Sequence, residues 1–173
     1  MCPSDPGPGI PWRRAVFYDA LGEGLRAYAE RAFPLSIRDE SGKSLRDRLE
    51  KRTEKAEKKG QADRAAVYAN ALETPPFPDP LAFVWSAYSR IRARKASGIN
   101  GLDPIGWPDI DAFARLTRTW LPPWAVGLIE DLDGIFLDAP DGVKAIMAEI
   151  DKAATREAPR AVGKSVRRRQ DDR

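Results

Sequence analysis

Histidine is absent from the 173 residues, and cysteine occurs once, as Cys2. The missing imidazole removes the usual general base near neutral pH and the commonest metal ligand. Zinc sites of the Cys/His kind are excluded by count. A lone cysteine makes no internal disulfide, and a terminal thiol lacks the electropositive setting that makes cysteines reactive. No run of about 18 apolar residues exists, so no membrane span is expected. The N-terminal residues carry neither the basic start nor the apolar stretch of a secretory signal, which points to a cytosolic protein. Phosphate cradles are missing as well, because Gly22-Glu23-Gly24 is not followed by nucleotide-site spacing. These absences argue against an enzyme, and no cofactor or metal is expected.

Charge is plentiful but unevenly spread. Lys43–Lys59 holds eight basic residues against four acidic ones, and Arg160–Arg173 holds six against two. From Trp107 to Asp138 there are six acids and two arginines. The centre is therefore acidic and the appendages basic.

Punctuation divides the chain. Residues 1–10 are rich in proline and glycine and are expected to be disordered. Residues 11–73 form an N-terminal helical region. Within it, Trp12 to Ala32 reads as a helix from Phe17, Leu21, Leu25, Tyr28 and Ala32, ended by Pro34. Ser44 to Lys59 reads as a charged, mostly solvated helical arm with a thin seam of Leu45, Leu49 and Ala56. Gly60 breaks it, and Gln61 to Leu72 is helix-prone, with Ala65, Tyr68, Ala69 and Leu72 on one face. Residues 74–80 hold four prolines in seven positions and form a linker.

Residues 81–155 read as the helical core. Leu81–Lys95 has an apolar face of Leu81, Val84, Trp85, Tyr88 and Ile91, with Asp79 as N-cap and Gly98 as an αL stop. Ile99 to Gly106 is a loop. Trp107 to Thr117 turns Ile110, Phe113, Ala114 and Thr117 inward. Pro122 and Pro123 open a further helix with a stripe of Trp124, Leu128, Leu132, Ile135 and Phe136. Asp138-Ala139-Pro140 separates a last helix, in which Val143, Ile146, Met147 and Ile150 face inward. Residues 156–173 are a basic disordered tail. No strand-period segment is visible. The fold class is all-α: a small helical bundle built on a helical hairpin (107–137) plus a preceding helix (81–96), with a charged helical arm and disordered termini.

Carboxylate pairs add little chemistry. Asp109 and Asp111 point to different faces of a helix and make no dyad. Glu130 and Asp133 share a face, read as a solvated acidic surface. A helix–turn–helix sketch of 107–137 fails on charge: the second helix has no Lys or Arg before Lys144, whereas base reading needs basic or amide side chains and phosphate repels acids. Four of the five tryptophans, Trp85, Trp107, Trp120 and Trp124, fall between 81 and 137. Tryptophan at helical spacing is commonly core, yet aromatics also anchor protein interfaces.

The run Trp107-Pro108-Asp109-Ile110-Asp111-Ala112-Phe113-Ala114-Arg115-Leu116-Thr117, followed by Pro123-Trp124, Leu128-Ile129-Glu130-Asp131-Leu132-Asp133 and Phe136-Leu137, resembles the small tail assembly chaperones of long-tailed bacteriophages and related prophage tail proteins. Trp85, Tyr88, Ser97-Gly98 and Asp103-Pro104-Ile105 fit the same pattern, which covers about residues 74–138. The family usually has Ser or Thr at the positions of Gly106 and Pro122, Glu at Ala125, and a glycine near Arg118, so side-chain capping is weaker here.

The resemblance implies a non-enzymatic helical chaperone that binds the tape measure protein, with the tail tube protein as a further partner. It implies action in the host cytoplasm and absence from the mature virion. An unassembled tape measure would expose apolar stripes that self-associate, and a helical protein can cover them helix-in-groove. The candidate partner face is Trp85, Tyr88, Trp107, Phe113, Trp124 and Leu128, with the Lys43–Lys59 arm assisting. The alternative from another class is a small nucleic-acid-binding or regulatory helical protein using the basic tail.

Overall fold

The computed structural model describes residues 11–95, 97–98 and 101–156. Cys2, the proline-rich segment 1–10 and the basic residues 157–173, expected above to be disordered, lie outside the described residues. Six α-helices follow in order: α1 (Pro11–Ser36), α2 (Leu45–Lys58), α3 (Ala62–Leu72), α4 (Ala82–Arg92), α5 (Trp107–Thr117) and α6 (Pro123–Arg156). The all-α class is as expected. The loop after α4 departs from it slightly, through an antiparallel pair of two-residue strands, β1 (Ser97–Gly98) and β2 (Gly101–Leu102), in which Gly98 opposes Gly101.

α1 and α6 form the frame. Gly22 lies against Leu128, whose Cδ2 would sit 3.2 Å from an added Cβ. Arg26 pairs with Asp131 at 2.8 Å, and Phe33 meets Phe136 edge-on at 5.4 Å between centroids. Farther along, Gly142 sits under Pro34. The partners advance together, so the two helices run parallel. Gly22, a weak helix former by propensity, is therefore a point of close helix approach.

Two prolines expected to end helices lie inside them. Pro34 is within α1 and Pro140 within α6. An interior proline loses one backbone hydrogen bond and strains the preceding turn, a cost of about 3 kcal/mol. Burial on both sides outweighs it. Leu35 is fully buried, and Pro34 packs on Gly142. Ala139 before Pro140, and Ile146 and Ile150 after it, are also buried, so one helix face continues through the proline. The separate last helix expected from Asp141 is the second half of α6.

The start and stop of α4 also differ from expectation. A 3-10 turn, Asp79–Leu81, precedes it, closed by the Leu81 N–H donating to the Pro78 carbonyl at 2.9 Å, and Asp79 makes no side-chain cap. The helix ends at Arg92 and turns through Lys95, so Gly98 belongs to β1 and does not cap it.

The main core joins Leu25, Ala29 and Phe33 of α1 to Val84, Tyr88 and Ile91 of α4, Ile110 of α5, and Leu128, Ile129 and Leu132 of α6. A second cluster holds Leu35, Leu45, Leu49, Ala71, Ile146 and Ile150. Through it the charged arm is docked by its thin seam, while nine of its fourteen residues stay exposed, as a mostly solvated arm was expected to leave them. Its seam of Leu45, Leu49 and Ala56 is buried as read. Ser44 caps α2 reciprocally with Asp47. At the other end Gly60, at φ +68°, makes the left-handed turn into α3, with the Gln61 N–H reaching the Ala56 carbonyl at 2.9 Å. On α3, Ala65 and Ala71 are buried and Ala69 is exposed, so the inward face is rotated slightly from the expected one.

Candidate partner-binding surface

A buried ion pair positions the region around α5. Nη1 of Arg92 donates to Oδ1 of Asp133 at 2.9 Å and to the Asp103 carbonyl at 2.9 Å. Oδ2 of Asp133 accepts the Ile105 N–H at 2.6 Å. One carboxylate from α6 and one guanidinium from α4 thus fix the chain just before α5. Asp133 is therefore buried, not part of the solvated acidic face expected for Glu130 and Asp133. Glu130 instead accepts the Trp107 indole N–H at 2.6 Å.

Asp109 does the remaining work at the start of α5. Gly106 has no side chain to cap the helix, but Oδ2 of Asp109 accepts the Gly106 N–H at 2.8 Å and a hydrogen bond from Nζ of Lys95 at 2.6 Å. The Lys95 hydrogen bond is the main reason the Asp109 carboxyl is held below its ordinary pKa, and the Gly106 N–H adds to it. Asp111 pairs separately with Arg115 at 3.0 Å, so the two acids act apart, as their spacing implied.

With α5 anchored at this end, a groove of about 350 Å³ opens between α4 and α5. Arg90 and Ile91 line it from α4, Arg94 from the turn just after α4, and Ala112, Phe113 and Leu116 from α5. The Arg90 guanidinium lies over the Phe113 ring, 5.1 Å from its centroid. A larger hollow of about 590 Å³ lies between α1 and α4, lined in part by Tyr28, Phe33, Trp85, Tyr88, Arg92 and Phe136.

The six residues expected to form one partner face are divided by the fold. Tyr88 and Leu128 are core, 2% and 4% exposed. The Tyr88 hydroxyl is buried without a hydrogen-bond partner, and burial, with the Asp133 charge nearby, pushes its pKa up. Trp85 is half-buried in an aromatic cluster, stacked on Phe33 at 5.2 Å and edge-on to Tyr28 at 5.4 Å. Trp124 is half-buried and edge-on to the exposed Phe83 at 5.8 Å. Phe113 lines the α4–α5 groove. Trp107 stands out from the surface, 73% exposed.

Two residues outside the expected set are the most exposed apolar side chains of this region: Leu116 at 85% and Trp120 at 81%. Leu116 lies off the inward stripe of α5, which could have marked it as outward-facing. Trp120 sits in the link between α5 and α6, where no helical period assigns it a face. Among the described residues, no group of three or more acidic, cysteine or histidine side chains converges as a metal site, and no helix is long and apolar enough to cross a membrane.

Residues 57–138, just under half of the chain, match the model of a family described as phage tail assembly chaperone. The match covers α3 to the middle of α6, including the whole α4–α5 groove, Trp107, Leu116 and Trp120. The match overlaps the resemblance read from residues 74–138 and supports it: over this segment the chain is similar to that family. No curated protein and no solved structure matches the chain.

Proposed function

We propose that the protein is a non-enzymatic chaperone that binds the phage tape measure protein and keeps it soluble until the tail tube assembles around it. The observation that carries this reading is the exposed apolar surface within the family segment: Leu116 and Trp120 are more than four-fifths exposed and Trp107 nearly three-quarters. Large apolar side chains standing this far into water, two on α5 and one in the link that follows it, fit a binding surface better than a fold requirement. Leu116 also lines the groove between α4 and α5, whose floor is apolar, and an amphipathic helix is the natural occupant of such a groove.

The tape measure is the partner that the family implies, and its apolar helical stripes match this surface in kind. The tail tube protein is a second, later partner in the same reading. Such work takes place in the host cytoplasm, and the chaperone leaves before the virion is complete.

Co-expression tests it. The tape measure protein of the same phage, produced alone, is expected in the insoluble fraction. Produced with this chain it should move to the supernatant and co-purify with it. A tape measure that is equally soluble without the chain, and does not co-purify with it, contradicts the proposal.

A further inference from the structure

The α4–α5 groove carries charge as well as apolar surface. Arg90, in the last turn of α4, and Arg94, in the turn that follows the helix, stand four residues apart on one wall of the groove. The Arg90 guanidinium covers Phe113, and Nη1 of Arg94 donates to the Arg90 carbonyl at 3.3 Å. Among the described residues neither arginine has a carboxylate partner. Two nearby cations are neutralised, Lys95 by Asp109 and Arg115 by Asp111. Opposite the two free guanidiniums lie Ala112, Phe113 and the protruding Leu116.

We infer that this groove binds an amphipathic helix whose apolar anchors are flanked by carboxylates one turn apart. The inference rests on the chaperone reading and names the kind of partner segment it would capture. Three features argue for that occupant. At about 350 Å³ the groove is near the lower end of the roughly 300–1,000 Å³ of ligand pockets, so it admits a few side chains of a helix lying across it. Its floor is apolar, which a nucleic-acid backbone would leave uncovered. Arginine is suited to forked hydrogen bonding with carboxylates, and two of them at helical spacing match acids spaced i, i+4 on a facing helix.

The test uses the full chain and two labelled synthetic helices with the same leucine stripe, one flanked by Glu and the other by Lys. The Glu peptide should bind, and the Lys peptide should bind at least about tenfold more weakly, since like charges placed face to face oppose association. The double variant Arg90→Glu/Arg94→Glu should reverse that preference, and the milder Arg90→Gln/Arg94→Gln should abolish it. Both sites are exposed, and unchanged melting temperatures would show that the fold is intact. Failure of the Glu peptide to bind, equal binding of the two peptides, or an unaltered preference in the variants overturns the inference. So does displacement of the Glu peptide by duplex DNA at equal affinity, which would mark the arginines as phosphate contacts. Capture of the tape measure by the Glu double variant, undiminished, would refute the groove assignment while leaving the chaperone reading intact. Loss of capture by the wild-type chain would refute that reading itself.

Discussion

Arg92 and Asp133 form an ion pair at 2.9 Å with both side chains less than a tenth exposed. The pair joins α4 to α6, and through Ile105 and Asp103 it holds the approach to α5. Removing one member leaves the other buried and uncompensated, which typically costs about 3–5 kcal/mol. Asp133→Ala is expected to lower stability by about that amount in urea denaturation. Because both residues act as one unit, Arg92→Leu combined with Asp133→Leu should cost less than the two single changes added together. Additive losses would mean that the pair is not coupled.

Arg118 is the one non-glycine residue at positive φ among the described residues, at φ 52° and ψ 34°, ending α5. A side chain there strains the backbone, and glycine does not. Arg118→Gly should therefore raise stability by about 0.5–1 kcal/mol, despite the greater freedom it gives the unfolded chain. A lower melting temperature for Arg118→Gly would contradict the strain argument.

Two glycines of α6 separate propensity from packing. A Cβ at Gly134 would meet nothing within 4 Å, whereas one at Gly142 would lie 2.6 Å from Cγ of Pro34. Gly134→Ala should stabilise the helix by up to about 1 kcal/mol. Gly142→Ala should destabilise the protein by about 1–3 kcal/mol, because the α1–α6 contact must open. Thermal melts of the two variants should move in opposite directions.

Asp109 gives a pH dependence of known sign. Its folded pKa lies below the ordinary 3.8 because Lys95 and the Gly106 N–H bind the carboxylate. A depressed carboxyl contributes stability that is complete above the unfolded value and is lost as pH falls through the folded one. The stability difference between wild type and Asp109→Asn should thus be largest above pH 3.8 and shrink as the pH drops below it. Denaturation curves at a series of pH values check this, and a difference that grew on acidification would refute it.

Much of the helical architecture was legible from periodicity. The faces of α2, α4 and the first half of α6 are those the apolar spacing marked out, because each buries a stripe against a neighbour. Boundaries at prolines were not legible. Pro34 and Pro140 carry a local penalty, and what overrides it is burial of Leu35, Ala139, Ile146 and Ile150 against elements far away in the chain. The docking of the charged arm was hidden for the same reason, since Leu45 and Leu49 find Ile146 and Ile150 about a hundred residues later.

The candidate surface was legible only as a region. Tryptophan content singled out residues 81–137, but a helical stripe does not say which ring lies in the core. Spacing placed Trp85 and Tyr88 on the same face, and that face turned out to be the core side of α4. Trp120 belongs to no helix, and Leu116 falls off the stripe of α5. Nor does spacing reveal that Arg92, at the end of α4 where the helix dipole favours a cation, reaches across to Asp133.

The central claim is that this chain keeps an apolar partner in solution. Its most direct test is to dilute urea-unfolded tape measure protein into buffer with increasing amounts of the purified chain and to follow turbidity. Suppression that saturates at a fixed ratio of several chaperones per tape measure, and that is weakened by Leu116→Glu with Trp120→Ser, is the predicted result. Turbidity no lower than with an unrelated helical protein of equal concentration would contradict it.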